Sequence, residues 1–256
     1  MTALPLPLPA TRAAALARLD HFLPRAGLPY AARRNEDLPG HPHVSGLSPY
    51  IRHRLLTEAE AIDATLRAHP QGADKFLAEL WWRTYWKGWL ERRSAIWSAY
   101  RQGLTEALNR VHAEAGLRAQ WEAACTGETG IDGFDHWARE LSATGYLHNH
   151  ARMWFASIWI FTLRLPWELG ADFFLRHLID GDPASNTLSW RWVAGLHTPG
   201  KTYAATTDNI AKNTNGRFRP TASPATAAPA DAAPPRPAPR ARGRRAPPRT
   251  HGAPVA

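Results

Sequence analysis

An all-α, multi-helical fold is predicted by this sequence, and three observations carry the prediction. Eight stretches repeat apolar residues at three- and four-residue spacing, convincing period-two alternation is absent, and no Gly-rich turn joins a strand to a helix. In order, the helical stretches are 11–22, 48–68, 73–99, 103–115, 133–144, 148–165, 168–179 and 182–195. The first follows the proline-rich opening of the chain. Pro49 after Ser48 suits the first position of the second, where a helix has no use for an N–H. The third carries Trp81, Trp82, Trp86 and Trp89, and the fourth meets Gly116 just past Ala115 as a stop signal. The fifth begins at Gly133. Pro166 after Leu165 closes the sixth, the seventh follows it directly, and Asp182-Pro183 opens the eighth with a capping side chain and a proline.

At 256 residues the chain has room for a sizeable core in one or two domains. Of the net charge of +9, the segment from Arg219 onward holds +6, through seven arginines and one aspartate, so the body is only mildly basic. That segment, 219–256, is rich in Pro, Ala and Arg and is expected to be disordered, because it has too little apolar surface to offset ordering entropy. It reads equally as a basic nucleic-acid-binding arm and as a solubilising extension. Residues 1–10 form a flexible Pro-rich N-terminus without the pattern of a signal peptide, which leaves 11–218 as the helical domain. A single cysteine, Cys125, excludes an internal disulfide and Cys-rich metal sites and fits a cytoplasmic location. The most apolar segment, 153–161, is far short of the ~20 residues a bilayer span requires, so no membrane partner is expected.

Charged and amide side chains recur among tryptophans between Gly145 and Trp192, and burying such groups costs several kcal/mol each unless they are paired. Asp182 has a ready role as an N-cap, whereas Asp180 needs a partner, and Arg152 is the natural one if helices 148–165 and 168–179 pack antiparallel. Asp180-Gly-Asp182 with Asn186 lacks the glycine and closing glutamate of a calcium loop. His148 and His150 are two apart, on different helix faces, so no metal site is expected. Glu79 and Arg83 stand at a spacing that allows an ion pair on one helix face.

Eight motifs occur in one order: Tyr30 with Arg34; Val44-Ser-Gly-Leu-Ser48-Pro-Tyr; Glu79-Leu-Trp-Trp-Arg83; Thr126-Gly-Glu-Thr-Gly130; Gly145-Tyr-Leu-His-Asn-His-Ala-Arg-Met153; Asp180-Gly-Asp182; Asn186; and Trp190-Arg-Trp192. In these the chain resembles the FAD-binding helical domain of the DNA photolyase/cryptochrome family, over roughly Tyr30 to Trp192. The resemblance implies FAD as cofactor. Tyr30 and Val44, Ser45, Gly46, Leu47 and Ser48 match the diphosphate grip. Phe76, Arg83, Tyr146 and Asn149 match positions lining the cofactor. Arg152 and Asp180 match an ion pair beside the flavin ring, Gly181 and Asp182 the adenine and ribose side, and Asn186 an amide facing flavin N5. Trp190 and Trp167 match two members of a tryptophan chain that photoreduces the flavin, and Trp121 is a candidate for the third. Glu79, Trp82, Asn149, Met153 and Trp192 match positions that hold a flipped-out pyrimidine dimer, with Arg34 and His150 on the DNA side.

The implied activity is light-driven repair of cyclobutane pyrimidine dimers in damaged DNA, single strands included, by a monomer. Asn149 and Met153 stand where enzymes acting on 6–4 photoproducts usually have histidines. Three features depart from the family pattern: the N-terminal α/β antenna domain is missing, His150 replaces an arginine, and the segment after Gly195 differs, with the final helices replaced by the tail. A cryptochrome-like photoreceptor or flavin-binding regulator is the alternative, and a domain binding nucleic acid only through its tail is a third.

Overall fold

A computed structural model describes residues 8–198 and 201–220, and among these residues there are twelve α-helices and no strand. They are α1 (Arg12–Phe22), α2 (Leu28–Arg33), α3 (Ser48–Arg52), α4 (Glu58–Ala68), α5 (Asp74–Glu91), α6 (Ser94–Ala113), α7 (Ala115–Thr126), α8 (Phe134–Thr144), α9 (Asn149–Ser157), α10 (Trp167–His177), α11 (Pro183–Val193) and α12 (Thr207–Asn213). A 3₁₀ turn, Leu23–Arg25, follows α1, and a π turn, Ile158–Thr162, prolongs α9. The all-α expectation stands. The readings of residues 1–7 and of the tail beyond 220 lie outside the described residues.

Local chemistry sets the helix ends. Thr57 and Glu60 form a reciprocal capping box that starts α4. Left-handed Gly127 and Gly145 end α7 and α8. Asp182 caps α11 by accepting from the Ser185 N–H at 2.9 Å, as its sequence context predicts.

Four expected stretches depart from one unbroken helix. The stretch 48–68 breaks between α3 and α4, where Arg54 takes φ 60° and donates to Glu58. The break expected near residue 100 falls instead at Arg92–Arg93, so α6 starts at Ser94. Gly116 is not a stop; the chain turns at Glu114 and continues as α7. The stretch 148–165 winds more loosely after Ser157, with Leu163 N–H reaching Ile158 at 2.9 Å, and ends at Arg164 with φ 54°.

Apolar faces gather into two cores. One, from α1, α3, α4 and the front of α5, is centred on Phe22, Leu47, Leu56 and Phe76. The larger joins α6 to α12 around Trp137, Trp154, Phe155 and Trp159. Helix α5 lies between them, packed on α2 and α4 to one side and α6 and α11 to the other.

The segment after Gly195, which departs from the family pattern in sequence, runs back across the bundle. Ala205 N–H donates to Ser157 Oγ, Trp154 Nε1 to Asn209 Oδ1, and Asp37 N–H to the Asn213 carbonyl, all within 2.9 Å. Phe218 packs on Trp137, and Arg219 N–H reaches Asp132. Asp37, fully buried, also accepts from Trp137 Nε1 at 3.1 Å and pairs with His41 and Arg217.

Candidate functional site

Between the two cores lies a cavity of ≈ 430 Å³, and all but four of the site residues singled out from sequence line it. The exceptions are Leu47, Phe76, Trp167 and Trp121. Leu47 and Phe76 are buried in the smaller core, where Phe76 backs Tyr30 with ring centroids 5.3 Å apart. They shape the wall from behind.

One wall is set by a glycine. Gly145 has φ 68°, a Cβ there would stand 2.5 Å from Ile179, and its carbonyl accepts from Ile179 N–H at 2.9 Å. This clasp brings the start of α9 against the loop after α10. Arg152 thereby meets Asp180 at 2.9 Å and also donates to the Leu147 carbonyl. Burial would raise the Asp180 carboxyl, but Arg152, with Ser48 and Arg83, outweighs it and holds the pKa low. Asn186 donates its amide to the Ala171 carbonyl at 2.8 Å, leaving its own carbonyl oxygen as the free acceptor.

The opposite wall is the 44–48 segment. Arg18, itself buried, donates to the Ser45 and Val44 carbonyls, and Gly46 turns at φ 66° ahead of Pro49 and α3. Behind α5, Arg83 turns away from the Glu79 that sequence spacing offered as a partner. It lies 3.7 Å from Glu58, with Asp182 and Asp180 also near; tertiary charges win over the local pair. Burial lowers the pKa of this guanidinium, and its Nε and Nη2 have no hydrogen-bond partner.

At the mouth stand Glu79, Trp82, Asn149, Met153 and Trp192. Glu79 keeps solvent contact, yet desolvation by the surrounding protein raises its carboxyl pKa, against the pull of Arg34 and Lys75. Asn149 Nδ2 lies 4.0 Å from Met153 Sδ. His148 caps α9: its Nδ1 accepts from His150 N–H, and its Nε2 bonds the Arg34 carbonyl at 3.0 Å. Burial holds its pKa down to about 4, so the ring is neutral and Nε2 carries the donor proton. His150 is also lowered by burial, and at neutral pH it adds little positive charge to the mouth.

Trp190 lines the cavity, and Gly170 of α10 makes room for it, since a Cβ there would stand 2.3 Å from the indole. Trp167 lies outside, 5.5 Å from Tyr100 between centroids, and Tyr100 lies 5.2 Å from half-buried Trp97. Trp121 packs on the larger core from α7. Sequence reading missed Tyr100 and Trp97, and also Trp86, Ser185 and Ser189 in the lining. The last two flank Asn186 on one face of α11, a spacing that could have found them. Among the described residues no group of three or more His, Cys, Asp or Glu is placed to hold a metal ion. Nor is any helix there long and apolar enough to cross a membrane.

A helical bundle around one cavity lined by charges, amides and indoles defines a ligand-holding helical domain. The profile of the FAD binding domain of DNA photolyase matches residues 76–219. A deoxyribodipyrimidine photo-lyase of Thermus thermophilus is 39% identical over 195 residues, 75% of this chain and 44% of that protein. One of Streptomyces griseus is 34% identical over 165 residues, covering 64% and 34% of the two. Among solved structures, a class III photolyase from Agrobacterium tumefaciens superposes with a TM-score of 0.65 at 26% identity, covering 80% of this chain and 43% of that one. The chain belongs to the FAD-binding domain family of photolyases and cryptochromes, and it spans less than half the length of these relatives.

Proposed function

We propose that this domain holds FAD in the central cavity and uses light to split cyclobutane pyrimidine dimers in DNA bound at its mouth. The observation that carries the reading is the cavity's division of labour. Its floor holds ionic groups with unspent hydrogen-bonding capacity, Arg83 above all, while its mouth is made of exposed indoles and a carboxyl.

The residues fit the cofactor. The Arg83 guanidinium, ion-paired with Glu58 but without a hydrogen bond at Nε and Nη2, and the Gly46–Ser48 turn suit an anionic diphosphate. Arg152 and Asp180, paired to each other, offer a polar edge to a heteroaromatic ring, and the free Asn186 oxygen accepts from a ring N–H. Bound FAD would supply the light absorption and the one-electron chemistry that splits the dimer into two pyrimidines, the electron returning to the cofactor. Trp82 and Trp192 would stack on the flipped lesion, while Glu79 and Asn149 hydrogen-bond its base edges. Trp190, with Trp167, would pass an electron inward. Trp167 leads through Tyr100 to Trp97, so this row, rather than Trp121, is the proposed continuation. Each electron moving inward is balanced by one that Trp97 takes from a thiol reductant in solution.

The test is illumination of the purified, FAD-loaded, reduced chain with dimer-containing single- and double-stranded oligonucleotides. Dimer loss under light alone supports the reading; intact dimers at saturating light, with flavin bound, overturn it. A second reading, a photoreceptor or flavin-binding regulator, is favoured by the weakly charged His150 at the mouth. In both readings photoreduction survives Glu79→Ala and fails in Trp190→Phe; only the repair reading loses dimer splitting with Glu79→Ala.

A further inference from the structure

Helix α5 buries Phe76 and Leu80 and leaves outside an arc that the pocket does not use up. Trp81 is 60% exposed, Tyr85 50% and Trp82 49%, with Trp86 and Trp89 half-buried behind them. At ~100° per residue these five rings fall within about 140° of the helix circumference. Lys75 and Arg92 share that arc with Asp74, and Glu79 stands just past its edge on the pocket side.

All of these rings but Trp81 form a connected row. Trp82 lies 5.3 Å from Tyr85 and 5.5 Å from Trp86, Trp86 lies 5.2 Å from His197, and His197 lies 4.8 Å from Trp89. The Arg93 guanidinium sits 4.3 Å over the Trp89 ring at the far end. The row starts at the pocket mouth and leads away from it.

We propose that this face of α5 is a stacking platform for the unpaired bases of a single nucleic-acid strand, outside the pocket and independent of any lesion. Burying these rings internally would have been favourable, so a contiguous exposed aromatic patch marks a contact surface. Its chemistry favours nucleic acid over an apolar protein face. Flat rings are bracketed by cations, Lys75 at one end and Arg92 with Arg93 at the other, and not by large aliphatic side chains, which suits stacked bases on an anionic backbone. Continuity with the mouth places a strand whose next nucleotide enters the pocket.

The experiment uses the full chain in the dark with a labelled, lesion-free thymidine oligonucleotide of about a dozen residues. Affinity is read by fluorescence anisotropy at two salt concentrations. Trp81→Ala/Tyr85→Ala weakens binding about tenfold at both, leaving the salt slope and the flavin content unchanged. Trp81→Phe/Tyr85→Phe restores most of the affinity, and Arg92→Ala/Arg93→Ala flattens the slope. Unaltered affinity in the alanine pair overturns the platform while leaving lesion repair standing. Sedimentation showing a wild-type dimer that the alanine pair dissolves also overturns it, because the face then belongs to a second copy of the chain.

Discussion

Arg152 shows how one side chain can organise a site. It donates to Asp180 and to the Leu147 carbonyl while its guanidinium lies 5.6 Å from the Tyr146 ring. Arg152→Leu strands Asp180, whose side chain is 4% exposed, and is expected to cost ~3 kcal/mol in urea unfolding. That is the low end for a broken buried pair, because the Arg152 side chain keeps 24% exposure. Arg152→Leu/Asp180→Leu should recover most of the loss, and a double variant no more stable than the single would refute the pairing energetics. This pair was legible in the sequence, since an aspartate among apolar residues requires a partner and few arginines were in reach. Arg83 was not, because its neighbours Glu58 and Asp182 come from distant elements. Trp97→Phe bears on another residue: slower photoreduction in thiol buffer is expected, with Trp121→Phe unchanged, as followed by the flavin absorbance.

At the scale of the element, α10 and α11 cross at a glycine. Gly170→Ala would drive a methyl into the Trp190 indole, at a cost of ~1–3 kcal/mol in thermal or urea unfolding. It should also shift Trp190 relative to the cavity, so photoreduction should change along with stability. Wild-type behaviour in both measurements would mean that the helices separate freely. Apolar spacing revealed the longer helices but not α2, α7 or α12, which fall outside the eight stretches, and helix breaks were readable only where glycine or proline marked them. The turns at Arg54, Arg92–Arg93 and Glu114 carry neither residue. Tertiary packing places those breaks, and a periodic pattern runs straight through them. The π turn at Ile158–Thr162 was invisible for the same reason.

Over the whole molecule, the buried Asp37 node ties the 34–47 loop to α8 and to the returning C-terminal segment. Burial would lower the His41 pKa, but its contacts with Asp37 and Glu140 outweigh that and raise it to about 9. A raised pKa stabilises the fold fully below the unfolded value near 6.5 and loses that contribution as pH rises through about 9. The urea midpoint should therefore fall from pH ~7 to ~9.5, and more gently in His41→Gln; parallel profiles would rule His41 out as the cause. Nothing in local spacing foretold this node. Its members are residues 37, 41, 137, 140, 213 and 217, and only the folded chain brings them together.

The same node orders events in time. Tyr30 and Ser48 leave the ribosome early, yet the clamp on the loop between them is complete only when Asn213 and Arg217 have been added. At ~5–20 residues per second, that delay is roughly ten to forty seconds. The pocket wall that this loop builds is thus completed late, once residues up to Arg217 have been made.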